Sequence, residues 1–219
     1  MNQPKPDIKE QLNTFFSQYK KRVYPKGQIM VFAGDTSSSI YYIKSGKVSQ
    51  YDITYRGDEV IVNILGPSAF FSMSWALSEV QNRYFYKAEL ETEVHIAPKE
   101  DVVAFIKKNP EITFDLLSRI YRGLDGVMAR AVYLMSGTAK ERVIHELILE
   151  SKRFGESQSD GIYDLAIGEK ELAARAGLAR ETVSREVKSL KDDRIISIGQ
   201  HSITINDLKS LESMLSTKS

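Results

Sequence analysis

One run constrains this chain more than any other: Lys170 to Leu190 reads KELAARAGLARETVSREVKSL. It has the form of two short helices joined at Gly177. Ala173 is small where the first helix has to approach the second. Gly177 suits a tight turn whose backbone conformation is costly for residues with a side chain. Val183 faces inward from the second helix. An alanine, a glycine four residues on and a branched aliphatic six after that form the skeleton of a helix-turn-helix. The second helix then exposes Arg180, Glu181, Thr182, Ser184, Arg185 and Lys188. Arginine can read guanine through two hydrogen bonds, glutamate can accept from cytosine, and the hydroxyls can hold phosphates. The plain alternative is an amphipathic helix pair with a solvated charged face. Polar residues crowded at the start of the second helix favour double-stranded DNA as the partner.

Net charge is only +1, but a basic footprint can be local. Between Arg175 and Lys191 the basic residues Arg175, Arg180, Arg185, Lys188 and Lys191 face two acidic ones, Glu181 and Glu186. There are no cysteines, so disulfides, thiolate clusters and thiol redox sensing are excluded. No apolar run is long enough for a membrane span and no signal-peptide pattern is visible, so a cytoplasmic protein without a membrane partner is expected.

From Lys26 to Ala97 short apolar strands alternate with turn signals. GQIMVF, SIYYIK, GKVSQYDITY, EVIVNILG and YKAELETEVHIA each fit a strand, and Arg56 to Glu59 fits a hairpin tip. Ser72 to Val80 interrupts the strands as a short helix, a natural place for a ligand pocket. Such a pattern suggests a roll that limits exposed edges. Pro98 to Lys108 reads as a helix, and Pro110 starts a longer one running to about Met135.

Within that longer helix Ile112, Leu116, Ile120, Leu124, Val127, Ala131 and Leu134 recur mostly at alternating spacings of four and three, the pattern of a coiled-coil seam. Leu116 to Leu134 are the expected dimer interface; packing on the chain's own roll is the alternative. Gly123 and Gly126 each cost roughly 1 kcal/mol against alanine inside a helix, and close approach of two helices is the preferred reason for them. Ser136-Gly137 is the expected hinge. Thr138 and Glu141 fit a capping box, Phe154 to Gly161 a polar loop, and Ile162 to Ile167 a strand. Arg194 to Ile198 and Ser202 to Ile205 form a wing around Gly199-Gln200-His201, and Asn206 or Asp207 caps a last helix.

The order of roll, long helix, hinge and winged helix-turn-helix resembles the cyclic-AMP receptor protein and Fnr superfamily of bacterial transcription regulators. PKGQIMVFAGDTSSSIYYIKSGKV is similar to the start of that family's β roll, and LARETVSREVKSLKDDRII to its recognition helix and wing. The resemblance implies an α+β chain with three parts. A cyclic-nucleotide-binding-type β roll spans 1–109, a long dimerisation helix 110–136, and a winged helix-turn-helix domain 137–219. It also implies base contacts by Arg180, Glu181 and Arg185, a TGTGA-like palindrome read by a homodimer, and RNA polymerase as a further partner.

The pocket departs from the family's pattern. Where cyclic-AMP binders carry Gly-Glu this chain has Phe71-Ser72, and where they carry Arg-Ser it has Arg83-Tyr84. The polar residues that meet adenine are matched by Val127 and Met128. No cofactor is therefore expected, and cyclic AMP least of all. The pocket is either filled by Phe70, Phe71, Met73, Trp75, Tyr84 and Phe85 or takes another effector anchored on Arg83, itself as readily a surface arginine. Haem would have to use His95, the one histidine of the roll; His145 and His201 lie elsewhere. An enzyme is not expected, because a cupin-like metal site needs a histidine and carboxylate cluster. A sensor acting through a protein partner is the remaining alternative.

Overall fold

The computed structural model describes residues 7–216 apart from 37, 79, 160, 200 and 201. The wing-tip residues Gln200 and His201 and the Trp75 side chain therefore lie outside the described structure. The chain divides into two compact units, Met1–Arg122 and Gly123–Ser219.

The first unit begins with α1 (Ile8–Phe16) and carries eight strands: β1 (Lys20–Tyr24), β2 (Ile29–Val31), β3 (Ser39–Ser45), β4 (Val48–Ile53), β5 (Glu59–Leu65), β6 (Phe70–Phe71), β7 (Phe85–Ala88) and β8 (Thr92–Pro98). They form two four-stranded sheets, ordered β1-β8-β3-β6 and β2-β7-β4-β5. Side chains from both sheets, among them Ile43, Val48, Phe71, Tyr86 and Val94, share one core. On the other face of the first sheet, Ile40, Tyr42 and Ala97 meet Leu12 and Phe16 of α1 and the helices that follow. Residues alternate between the faces of a strand, so a strand covered on both sides reads as the unbroken apolar run SIYYI.

The expected run YKAELETEVHIA is two strands, β7 and β8, because residues 89–91 turn between sheets. α1, β1 and β6 are additional to the elements expected from the sequence pattern. The interruption after Ser72 is α2 (Met73–Ser78), the helix expected from Pro98 is α3 (Lys99–Lys108), and α4 runs from Pro110 to Ser136. The boundary between units falls inside α4, so the expected Ser136-Gly137 hinge belongs to the second unit.

In that unit α5 (Ala139–Phe154) starts at Thr138 with the full capping box to Glu141. The expected polar loop is largely a strand, β9 (Glu156–Ser159), paired with β10 (Ile162–Leu165). Then come α6 (Glu169–Ala176), α7 (Arg180–Asp192), the wing strands β11 (Ile196–Ile198) and β12 (Ile203–Ile205), and α8 (Leu208–Ser216). Asp207 caps α8: the Ser210 amide donates to its carboxylate at 3.0 Å. The third sheet has the order β11-β12-β10-β9.

Candidate nucleic-acid interface

Gly177 ends α6 with φ +61 and ψ 41, and its amide donates to the Ala173 carbonyl. Leu178 donates to the same carbonyl at 3.1 Å. This left-handed cap turns the chain sharply and is the conformation that favours glycine. Ala173 is buried in the angle between the helices, and Val183, Val187 and Leu190 anchor the inner face of α7 in the unit's core.

That anchoring decides what α7 offers to solvent. Arg180, Glu181, Arg185 and Lys188 are exposed, and Thr182 and Ser184 are half-buried beside them. Arg185 is 73% exposed and only loosely paired, its Nε 3.4 Å from the Glu186 carboxylate. Ala179 provides no side-chain acceptor at the N-terminus of α7, so the first amides of the helix are left for an anion. Ser197, Ile198 and Gly199 of the wing are exposed as well.

Arg175 does not belong to this face. It is buried, 2.6 Å from Glu150 and also paired with Glu171. Burial opposes its charge, but the two carboxylates prevail and hold its pKa above the usual arginine value. The local basic excess expected from the sequence is therefore smaller by one.

The seam residues divide. Leu116 packs against the first unit's own helical core. Near the other end, Leu134 Cδ2 lies 3.5 Å from where a Cβ on Gly177 would stand, and Ala131 is half-buried. Between them Ile120, Leu124 and Val127 are 61%, 48% and 52% exposed, and Leu117, Tyr121 and Met128 widen the apolar stripe.

The residues expected to line an effector pocket fall in both units, and each is described within its own. Phe71 is a core side chain, stacked at 4.9 Å on Tyr41 and at 4.6 Å on Tyr86. Ser72 next to it has φ +70, and among the described residues its buried hydroxyl has no hydrogen-bond partner. Arg83 is 76% exposed and 3.5 Å from Asp52; Tyr84 packs against the roll's core. Val127 and Met128 are exposed residues of the second unit. His95 is buried with Nδ1 3.3 Å from the Tyr19 carbonyl; a carbonyl only accepts, which puts the proton on Nδ1.

A β roll joined to a winged helix-turn-helix defines a class of DNA-binding regulators. Residues 21–109 match the cyclic nucleotide-binding domain and residues 141–214 the Crp-like helix-turn-helix domain. The cyclic AMP receptor protein of Thermus thermophilus is 28% identical over 204 residues, 93% of this chain and 91% of that protein. The global nitrogen regulator of a Nostoc species is 27% identical, covering 84% and 83%. Among solved structures, a CRP/FNR-family regulator of Thermus thermophilus has a TM-score of 0.75 at 22% identity, over 91% of this chain and all of that one. A CooA variant from Carboxydothermus hydrogenoformans has a TM-score of 0.78 at 19% identity, over 98% of both. The chain belongs to the Crp-Fnr superfamily and is a transcription regulator with a helix-turn-helix DNA-binding domain. No helix among the described residues is long and apolar enough to cross a membrane.

Proposed function

We propose that the chain acts as a homodimer that binds a TGTGA-like palindrome and regulates transcription without cyclic AMP. The observation that carries this reading is α7 itself: Val183, Val187 and Leu190 are buried, while Arg180, Glu181, Arg185 and Lys188 are exposed. Arg180, Glu181 and Arg185 read bases. Thr182, Ser184, Lys188 and the first amides of α7 position the helix on phosphates. The second copy is supported by Ile120, Leu124 and Val127, whose exposure on one helix asks for a partner of the same kind. Two-fold symmetry then sets half-sites about one helical turn apart. Independence from cyclic AMP is supported by Phe71, whose ring is stacked in the roll's core where the resemblance implies glycine and a sugar, and by the Arg83–Asp52 pair. RNA polymerase is the further protein partner of this reading, in the cytoplasm.

Sequence selection from a random duplex pool by the purified protein, without added ligand and at fixed salt, tests it. Enrichment of a TGTGA-like palindrome is the expected result. Enrichment only after cyclic AMP is added would overturn the ligand-independent part; no enrichment with or without it would remove the TGTGA-like palindrome as the target of the ligand-free protein.

A further inference from the structure

The second unit holds a charged core that the DNA-reading face does not use. Arg130, on the last part of α4, places Nε 2.7 Å from Glu146 of α5. Its Nη2 donates to the backbone carbonyl of Arg175, two residues before the Gly177 turn. The Arg175 side chain is held in turn by Glu150 of α5 and Glu171 of α6. Glu146, Glu150 and Arg175 are buried. One turn further along α4, Leu134 lies against Gly177, and the Tyr133 ring is 4.4 Å from that of His145. The end of α4 thus meets the helix-turn-helix at the turn that sets the direction of α7.

The Ser136-Gly137 joint is restrained as well. The Gly137 amide donates to the Tyr133 carbonyl at 2.8 Å. Arg142 Nε donates to the Gly137 carbonyl at 3.1 Å, and the capping box fixes the start of α5. A guanidinium can serve a carboxylate on one helix and a carbonyl on another at once, which a lysine ammonium on a single flexible stem does less well. Buried ion pairs are poor sources of net stability and are better suited to fixing one arrangement.

We propose that Arg130 is a positioning residue that locks the last turns of α4 to the helix-turn-helix. Residues 123–136 and the DNA-binding unit then move as one body, and α4 sets where α7 points. The effect on DNA rests on the dimeric reading above; the lock itself does not.

Removing one partner would strand a buried charge, so the test is the double variant Arg130→Met/Glu146→Leu, which exchanges the pair for apolar groups. The chain has no cysteine, so spin labels can be placed at Asp125→Cys and Lys191→Cys, both exposed. Dilution with unlabelled protein keeps each measured distance within one chain. A narrow distance distribution is expected with Arg130 present and a broadened or split one in the double variant. Equal widths in the two proteins would overturn the lock. On DNA, affinity for a single half-site should be retained. Preference for the best-spaced palindrome over one lengthened by two base pairs should fall about tenfold. If the parent protein selects no DNA, the DNA reading fails while the intramolecular distance still decides the lock. Should the double variant not fold, Arg130→Lys is read by the same distance measurement.

Discussion

Arg180 and Arg185 stand on α7 with their guanidinium groups toward solvent, so truncating either should change DNA binding without unfolding the protein. Arg180→Ala or Arg185→Ala is expected to cost about 1–3 kcal/mol on the selected site and to relax preference at one base position. Titration of the selected and a scrambled duplex at one salt concentration checks this. Equal losses on both would mean that the arginine holds phosphate only. Ser72 calls for the opposite sign. Its φ of +70 is uncomfortable for a residue with a Cβ, and its buried hydroxyl has no partner among the described residues. Ser72→Gly relieves both and should raise stability by about 1 kcal/mol in urea unfolding. A loss of stability would show that the hydroxyl is satisfied in solution.

The apolar stripe of α4 makes a sharper test of its glycines than of its leucines. A Cβ added at Gly123 or Gly126 meets nothing within 4 Å in the chain. In an isolated chain each glycine-to-alanine change should therefore stabilise the helix by roughly 1 kcal/mol. If the glycines exist for close approach of a second α4, the same changes should weaken the dimer. Sedimentation equilibrium of Gly123→Ala/Gly126→Ala separates the two, since unchanged or tighter association would rule out close approach there. At this scale the sequence was legible wherever one face of an element was apolar and the other polar. The helix-turn-helix, the capping box and α4 announce themselves that way. β1 reads KKRVY with four exposed positions, and β9 reads ESQS with all four exposed; both are polar edge strands whose pairing leaves no alternation to detect. The Glu171–Arg175 pair was readable from its i,i+4 spacing. Glu146 and Glu150 could not be assigned to Arg130 and Arg175, because their partners come from other helices. The Phe71-Ser72 departure was visible as residue types, but that Phe71 would stack between two tyrosines depends on β3 and β7 flanking it.

Across the whole molecule the two units have separate cores, and alkali should act on them unequally. Burial pushes the Tyr86 phenol up to about 12, and burial also raises Tyr24, Tyr42 and Tyr51. All four lie in the first unit. A phenol ionises by losing a proton, so a raised folded value means that the unfolded chain loses it first. The stability these tyrosines contribute is complete below pH 10, the ordinary value, and declines as pH rises from there toward their folded values. For Tyr86 alone the loss at pH 11 is about 1.4 kcal/mol, rising toward about 2.7 kcal/mol above pH 12. The single tryptophan, Trp75, belongs to the first unit. Its fluorescence therefore follows that unit, while far-ultraviolet circular dichroism follows both. Urea unfolding at pH 8 and pH 11 should move the fluorescence midpoint down and split it from the later part of the dichroism transition. Tyr86→Phe, which keeps the ring between its neighbours and removes the ionisable hydroxyl, should recover about 1.4 kcal/mol of the fluorescence-detected loss at pH 11. If the substitution leaves that loss unchanged, the alkaline sensitivity comes from another group; if the two signals stay coincident, the units unfold as one.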